Sequence, residues 1–194
     1  MSKQIIFNST KINILWVGRF TDQKGVNDIK SIIEKINQSE YLEGKVDWNF
    51  VGEGEKKYII TSLSKKFTNI KYLGYVQHNQ ISNIYKNCDV FLSTSKWEAY
   101  PYNILEALSW GLQIFTYNIP GPVDILSNTN QTNIFDHKED YTNGLKNYLE
   151  QNSVSQIKKN KNMIDTADPE KTYKELFNYF QSLFDKKQSL GRVY

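Results

Sequence analysis

The stretch Ile12-Asn13-Ile14-Leu15-Trp16-Val17-Gly18-Arg19-Phe20-Thr21-Asp22-Gln23-Lys24-Gly25-Val26 changes its hydrophobic period part-way along. Residues 12–17 are a short apolar run of strand length, and Val26, Ile29, Ile32, Ile33 and Ile36 then recur at spacings of three and four. Strand, glycine-containing loop and amphipathic helix in that order make one β-α unit. Working outward, the alternation repeats. Apolar runs at Val46 to Val51, Ile70 to Leu73, Asp89 to Leu92, Leu112 to Phe115 and Asn133 to Phe135 are separated by helical stripes such as Ile59, Ile60, Leu63 and Phe67, or Ile81, Ile84 and Tyr85. Right-handed crossovers then place helices on both faces of one twisted sheet, so the sequence predicts an α/β fold with a Rossmann-like parallel sheet.

The 194 residues suffice for one well-cored domain. The α/β core is expected over residues 11–136 and helices alone over 138–188. Asp168 and Pro169 form a helix start, and Tyr173, Leu176, Phe177, Phe180, Leu183 and Phe184 give that helix an apolar face. Twenty-four basic against twenty-one acidic side chains leave a formal charge of +3, too balanced to argue for a nucleic-acid partner. Cys88 is the only cysteine, which excludes an internal disulfide and any site built on several cysteines. Neither a secretory leader nor a membrane span is read from the apolar pattern, so a cytoplasmic location is expected.

In open α/β sheets ligands bind beyond the carboxyl ends of the strands, which directs attention to three loops. Gly18, Arg19, Lys24 and Gly25 put two cations at a helix N-terminus, where free amides and the helix dipole favour an anion such as a diphosphate; an ordinary exposed turn with two solvated cations fits the spacing equally well. Val51-Gly52-Glu53-Gly54 begins like a dinucleotide fingerprint, but Lys57 occupies the third glycine position and the segment follows the second strand, so no nicotinamide or flavin is expected. The third loop runs Ser93-Thr94-Ser95-Lys96-Trp97-Glu98-Ala99-Tyr100-Pro101-Tyr102-Asn103-Ile104-Leu105-Glu106. Pro101 suits the first turn of a helix, which leaves Glu98 outside it and Glu106 inside, on the wheel roughly opposite Ile104, Leu105 and Leu108 and so facing solvent.

Taken in order, Gly18-Arg19-Phe20 with Lys24-Gly25, then Val51-Gly52-Glu53-Gly54, then Leu73-Gly74-Tyr75-Val76, then Glu98 with seven residues to Glu106, closely resemble the C-terminal domain of the GT-B retaining glycosyltransferases of family 4 (group 1). The resemblance covers residues 12–128 and implies hexosyl transfer from a nucleotide-diphosphate sugar in bacterial-type polysaccharide, lipopolysaccharide or glycoconjugate synthesis, with no metal or other cofactor. Arg19 and Lys24 would neutralise the donor diphosphate and, with Glu98, serve the reaction. Glu98 would hold hydroxyls of the donor sugar, Glu106 those of the ribose. Amides from Tyr100 through Pro101 and Tyr102 to Asn103 would approach sugar and phosphate beside Gly18, and Tyr75 and Val76 would flank the base. Pro101 stands where many relatives have glycine, and the Gly-x-x-Glu loop near the sugar ends here in the shorter acid, as Gly121-Pro122-Val123-Asp124.

The resemblance also implies a second, N-terminal domain with the acceptor site and a histidine that His78 and His137 do not replace. That half is expected to be missing here. The chain is then a fragment of a longer enzyme or a separate subunit, and any peripheral attachment to the inner face of the membrane runs through the missing half. The alternatives are a GT-B sugar-nucleotide epimerase and a non-catalytic nucleotide-sugar-binding partner subunit.

Overall fold

The computed structural model describes residues 7–127, 129–130, 133–163 and 169–189. Six strands, β1 (Ile12–Val17), β2 (Val46–Val51), β3 (Ile70–Gly74), β4 (Val90–Ser93), β5 (Gln113–Tyr117) and β6 (Ile134–Phe135), form one sheet in the order β3-β2-β1-β4-β5-β6, with every pairing parallel. β1 pairs with β2 from Ile12 opposite Val46 to Val17 opposite Val51, and with β4 through Ile14 opposite Val90 and Leu15 opposite Phe91. The chain order therefore reverses between β1 and β4. In open α/β sheets such a switch point is where a ligand crevice is expected, because the connections from the two strands leave towards opposite faces.

Helices α1 (Val26–Asn37), α2 (Lys57–Lys66), α3 (His78–Asn87), α4 (Tyr102–Ser109), α5 (Pro120–Leu126), α6 (Lys138–Gln151), α7 (Val154–Met163) and α8 (Pro169–Ser189) complete the fold. The strand residues alternate with period two between two cores. Ile12, Ile14, Trp16, Val90, Leu92 and Phe115 join the stripes of α1, α2 and α6, while Leu15, Phe91 and Ile114 join α3, α4 and α5 on the other side. Tyr173 and Leu176 of α8 pack against the second core.

Besides shifts of one or two residues at the ends of β3 to β6, two elements differ from the sequence expectation. α4 begins at Tyr102, because Pro101 takes φ −82° and ψ 86° and stands outside the helix. Residues 120–126, expected as a loop, form α5. Glycine and prolines there do not prevent a helix, since Pro120, Gly121 and Pro122 all fall in the first turn, whose amides have no intrahelical partner to lose. The cap expected at Asp168 lies outside the described residues.

The turn into α1 depends on Gly25, held at φ +66° with its α-carbon against β4's loop. A β-carbon there would stand 1.9 Å from the Thr94 carbonyl oxygen. Gly25→Ala combines left-handed strain with a backbone clash that no rotamer relieves, and should cost about 2 to 4 kcal/mol of unfolding free energy. Urea unfolding of the two chains measures it.

Candidate active site

The site is assembled where β1 and β4 end. After β1, the Gly18 amide donates to Val51 (3.1 Å) and the Phe20 amide to the Glu53 carbonyl (2.8 Å), while Lys56 returns a hydrogen bond to the Phe20 carbonyl (3.0 Å). Gly52 lies so close to this loop that a β-carbon would stand 1.9 Å from the Gly18 oxygen. The Gly-Glu-Gly segment thus supports the Gly18-Arg19-Phe20 loop through backbone contacts.

Across the crevice, Thr94 is fully buried; its hydroxyl accepts from Trp16 Nε1 (3.0 Å) and donates to the Lys24 carbonyl (2.8 Å). The Lys96 amide donates to the Gln23 carbonyl (2.8 Å), and Asn103 Nδ2 donates to the Val17 carbonyl (2.9 Å). These four hydrogen bonds fasten the β4–α4 connection and the first turn of α4 onto the end of β1 and its loop. Lys24 Nζ forms an ion pair with Glu98 Oε1, which also accepts from Ser95 Oγ (2.9 Å). Arg19 is exposed and forms no ion pair or side-chain hydrogen bond among the described residues.

The geometry joins Lys24 to Glu98 and brings Asn103 to the end of β1 beside Gly18, while Arg19 follows Gly18 in the same loop with its side chain exposed. Glu106 is half-buried, not a solvated outer-face residue: its Oε2 accepts from the hydroxyl of buried Tyr85 (2.8 Å). Tyr85 is held protonated, its pKa pushed well above the usual tyrosine range by burial and then by the Glu106 charge. The amide cradle is narrower than the sequence suggests. Pro101 has no N–H and the Tyr102 amide donates to the Tyr100 carbonyl (3.1 Å), leaving Tyr100 and Asn103 as its donors. The rings of Tyr100 and Tyr102 pack on Phe177 of α8, with centroids 6.3 and 5.8 Å away. Tyr75 follows the edge strand β3, 76% exposed, and Val76 packs into the second core, so neither touches the Lys24–Glu98 cluster directly.

Glu53, quoted for its motif alone, accepts from Tyr72 OH and pairs with Lys57 (3.2 Å); the Tyr72 hydrogen bond first, and then Lys57, hold its carboxyl below the usual range, while burial and the bond to Glu53 push Tyr72 up to about 12. Sequence reasoning missed Trp16, Gln23, Thr94 and Tyr85 as parts of the site. The available signal was a run of three hydroxyl residues, Ser93-Thr94-Ser95, directly after an apolar strand. His137 occupies the N-cap position of α6 without a side-chain capping bond. Among the described residues no three His, Cys, Asp or Glu side chains gather as metal ligands, and no helix is long and apolar enough to cross a membrane.

Residues 1–170 match the family model of the group 1 glycosyl transferases. The chain belongs to that family. It is 30% identical over 120 residues to one component of the human phosphatidylinositol N-acetylglucosaminyltransferase, a match covering 59% of this chain and 24% of that protein. It is 28% identical over 117 residues to a 41.2 kDa protein of the cps region of Klebsiella pneumoniae, covering 60% and 30%. Among solved structures, the pneumococcal O-GlcNAc transferase GtfA in complex with UDP and GlcNAc superposes with a TM-score of 0.65 at 16% identity, over 91% of this chain and 36% of that one. The Rossmann-like sheet is thus the architecture of GT-B glycosyltransferase structures, and the matches span less than a third of the length of both curated relatives.

The Thr94 hydroxyl joins the two loops, so its removal should be felt as stability. Thr94→Val keeps the shape but leaves the Trp16 indole N–H and the Lys24 carbonyl without their partner. At about 1 to 3 kcal/mol for each buried group left unpaired, partly offset by relaxation, a total loss of about 2 to 4 kcal/mol is expected in chemical denaturation.

Proposed function

We propose that this chain is the donor-binding, C-terminal half of a GT-B retaining glycosyltransferase, holding a nucleotide-diphosphate sugar at the β1–β4 crevice. The observation that carries this reading is the Lys24–Glu98 pair, with Asn103 bonded to the end of β1 and Arg19 in the adjoining loop, at the switch point of the sheet where open α/β folds bind ligands, in a chain of the group 1 family. Arg19 and Lys24 take the diphosphate, helped by the N-terminus of α1. Glu98 takes sugar hydroxyls, and Glu106 takes the ribose. Breaking the glycosidic bond builds negative charge on the departing phosphate oxygen, and fixed cations stabilise it with no metal required.

On this reading the acceptor site lies outside the 194 residues, in the same polypeptide or in a separate subunit. The relatives support a glycosyl transfer of this kind: one is named for N-acetylglucosaminyl transfer, one for its cps locus, and one was solved with UDP and GlcNAc. We assign the transfer to hexosyl donors in polysaccharide or glycoconjugate synthesis at the cytoplasmic face of a membrane.

Calorimetric titration with nucleoside diphosphates and the matching nucleotide sugars tests the assignment. Arg19→Ala should weaken both ligand types by about 1.5 to 3 kcal/mol, as expected for hydrogen bonds to a charged partner. Glu106→Gln should weaken both about equally, because both contain ribose. Glu98→Gln should weaken only the sugar-bearing donor, roughly tenfold, and leave the bare diphosphate as tight or tighter, since Lys24 is released from its pair. Chelator should change none of these affinities. Binding that needs a divalent ion and ignores Arg19 would overturn the assignment.

A further inference from the structure

The hydroxyl of Tyr85 serves no packing purpose. Tyr85 is 1% exposed in α3, its ring tilted against Phe91 at 6.2 Å, in a core where phenylalanine would fill the same space. Its oxygen instead reaches across to α4, where it donates to Glu106 Oε2 at 2.8 Å, with the Asn103 carbonyl farther away at 3.5 Å. A glutamate side chain has several staggered rotamers, and it presents its carboxylate in one direction only when something fixes the choice among them. A donor on a neighbouring helix, as Tyr85 is here, contributes to that choice. Side chains of a helix lean towards its N-terminus, so a Glu106 held in this way carries its carboxylate back towards the first turn of α4, where Asn103 is bonded to the end of β1. A carboxylate has roughly four lone-pair sites, so accepting from Tyr85 does not by itself exhaust it.

We propose that Tyr85 is a positioning residue that aims the Glu106 carboxylate at the vicinal hydroxyls of the donor ribose. This rests on the reading of Glu106 as the ribose ligand. Tyr85 does not touch the donor; it acts by fixing a group that does, so that the ordering cost is met on folding and not on binding.

The test uses the 194-residue chain and titrates UDP, GDP and ADP, each beside its 2′,3′-dideoxy form; the diphosphate that binds most tightly is the probe. Tyr85→Phe should weaken the ribose form by roughly three- to thirtyfold and change the dideoxy form less than twofold. Glu106→Gln should show the same selectivity. In the Tyr85→Phe, Glu106→Gln double variant, no charge is left unpaired, and its affinity should match that of Glu106→Gln alone. That comparison stands even if Tyr85→Phe by itself does not fold. Equal losses for ribose and dideoxy forms in Tyr85→Phe, or a further loss in the double variant, would overturn the positioning role by showing that Tyr85 acts independently of the ribose ligand. So would an unchanged Tyr85→Phe beside a selective Glu106→Gln, which leaves the ribose reading intact. A Glu106→Gln variant that treats both forms alike removes the ribose reading and the inference with it.

Discussion

The Thr94 hydroxyl, accepting from Trp16 on one side and donating to the Lys24 carbonyl on the other, joins two β-α units far apart in the chain. Parallel strands from such units share a sheet without needing their loops to meet. Here they meet because Gly25 lets the backbone of one press against the Thr94 carbonyl of the other, and because a buried threonine must place both its donor and its acceptor capacity. Once the Lys24 backbone is held there, its side chain lies within reach of Glu98. Asn103, bonded to the end of β1, brings the first turn of α4 to the same edge. The relative positions of Lys24 and Glu98 thus follow from a small set of buried polar contacts.

The start of α4 is held from several directions. Gly121 at the start of α5 packs so tightly that a β-carbon would stand 2.7 Å from the Glu98 carbonyl. Tyr100 and Tyr102 pack on Phe177, and the Tyr100 hydroxyl donates to the Phe177 carbonyl at 3.3 Å. A helix of eight residues has little stability of its own, and tertiary contacts of this kind keep it formed. The C-terminal helix is therefore part of what holds the site, although none of its side chains belongs to the ion-pair cluster.

Strand positions were legible in the sequence because a parallel sheet covered on both faces must be built from short continuous apolar runs, and β1 and β2 match theirs end for end. Strand order was legible only as a class, since periodicity carries no information on which strands pair. α5 was hidden because glycine and proline signal a break wherever they stand, and their tolerance in a first turn depends on where the helix begins. The site was legible where charge and glycine cluster in a loop. Tyr85 was not, because its position in the stripe of α3 reads as core. Its ring does belong to the core, and only its oxygen belongs to the site. Glu106 was misplaced for the converse reason: a helical wheel sees its own helix, and the donor that draws Glu106 inward comes from another.

The Lys24–Glu98 pair bears on how a donor is recognised. Both side chains are largely shielded, at 16% and 10% exposure, so their mutual attraction is weakly screened while each has already lost most of its water. Removing one partner alone leaves the other buried and uncompensated, which is the costly case; exchanging both partners at once is not. On the donor-site reading, a bare diphosphate that draws Lys24 away leaves Glu98 with the Ser95 hydroxyl as its remaining donor here. A nucleotide sugar offers phosphate oxygens to the lysine and sugar hydroxyls to the glutamate in the same step, so neither charge is stranded. On that reading the ion pair would favour the complete donor over its own leaving group, and the return of Lys24 to Glu98 would assist release of the nucleoside diphosphate.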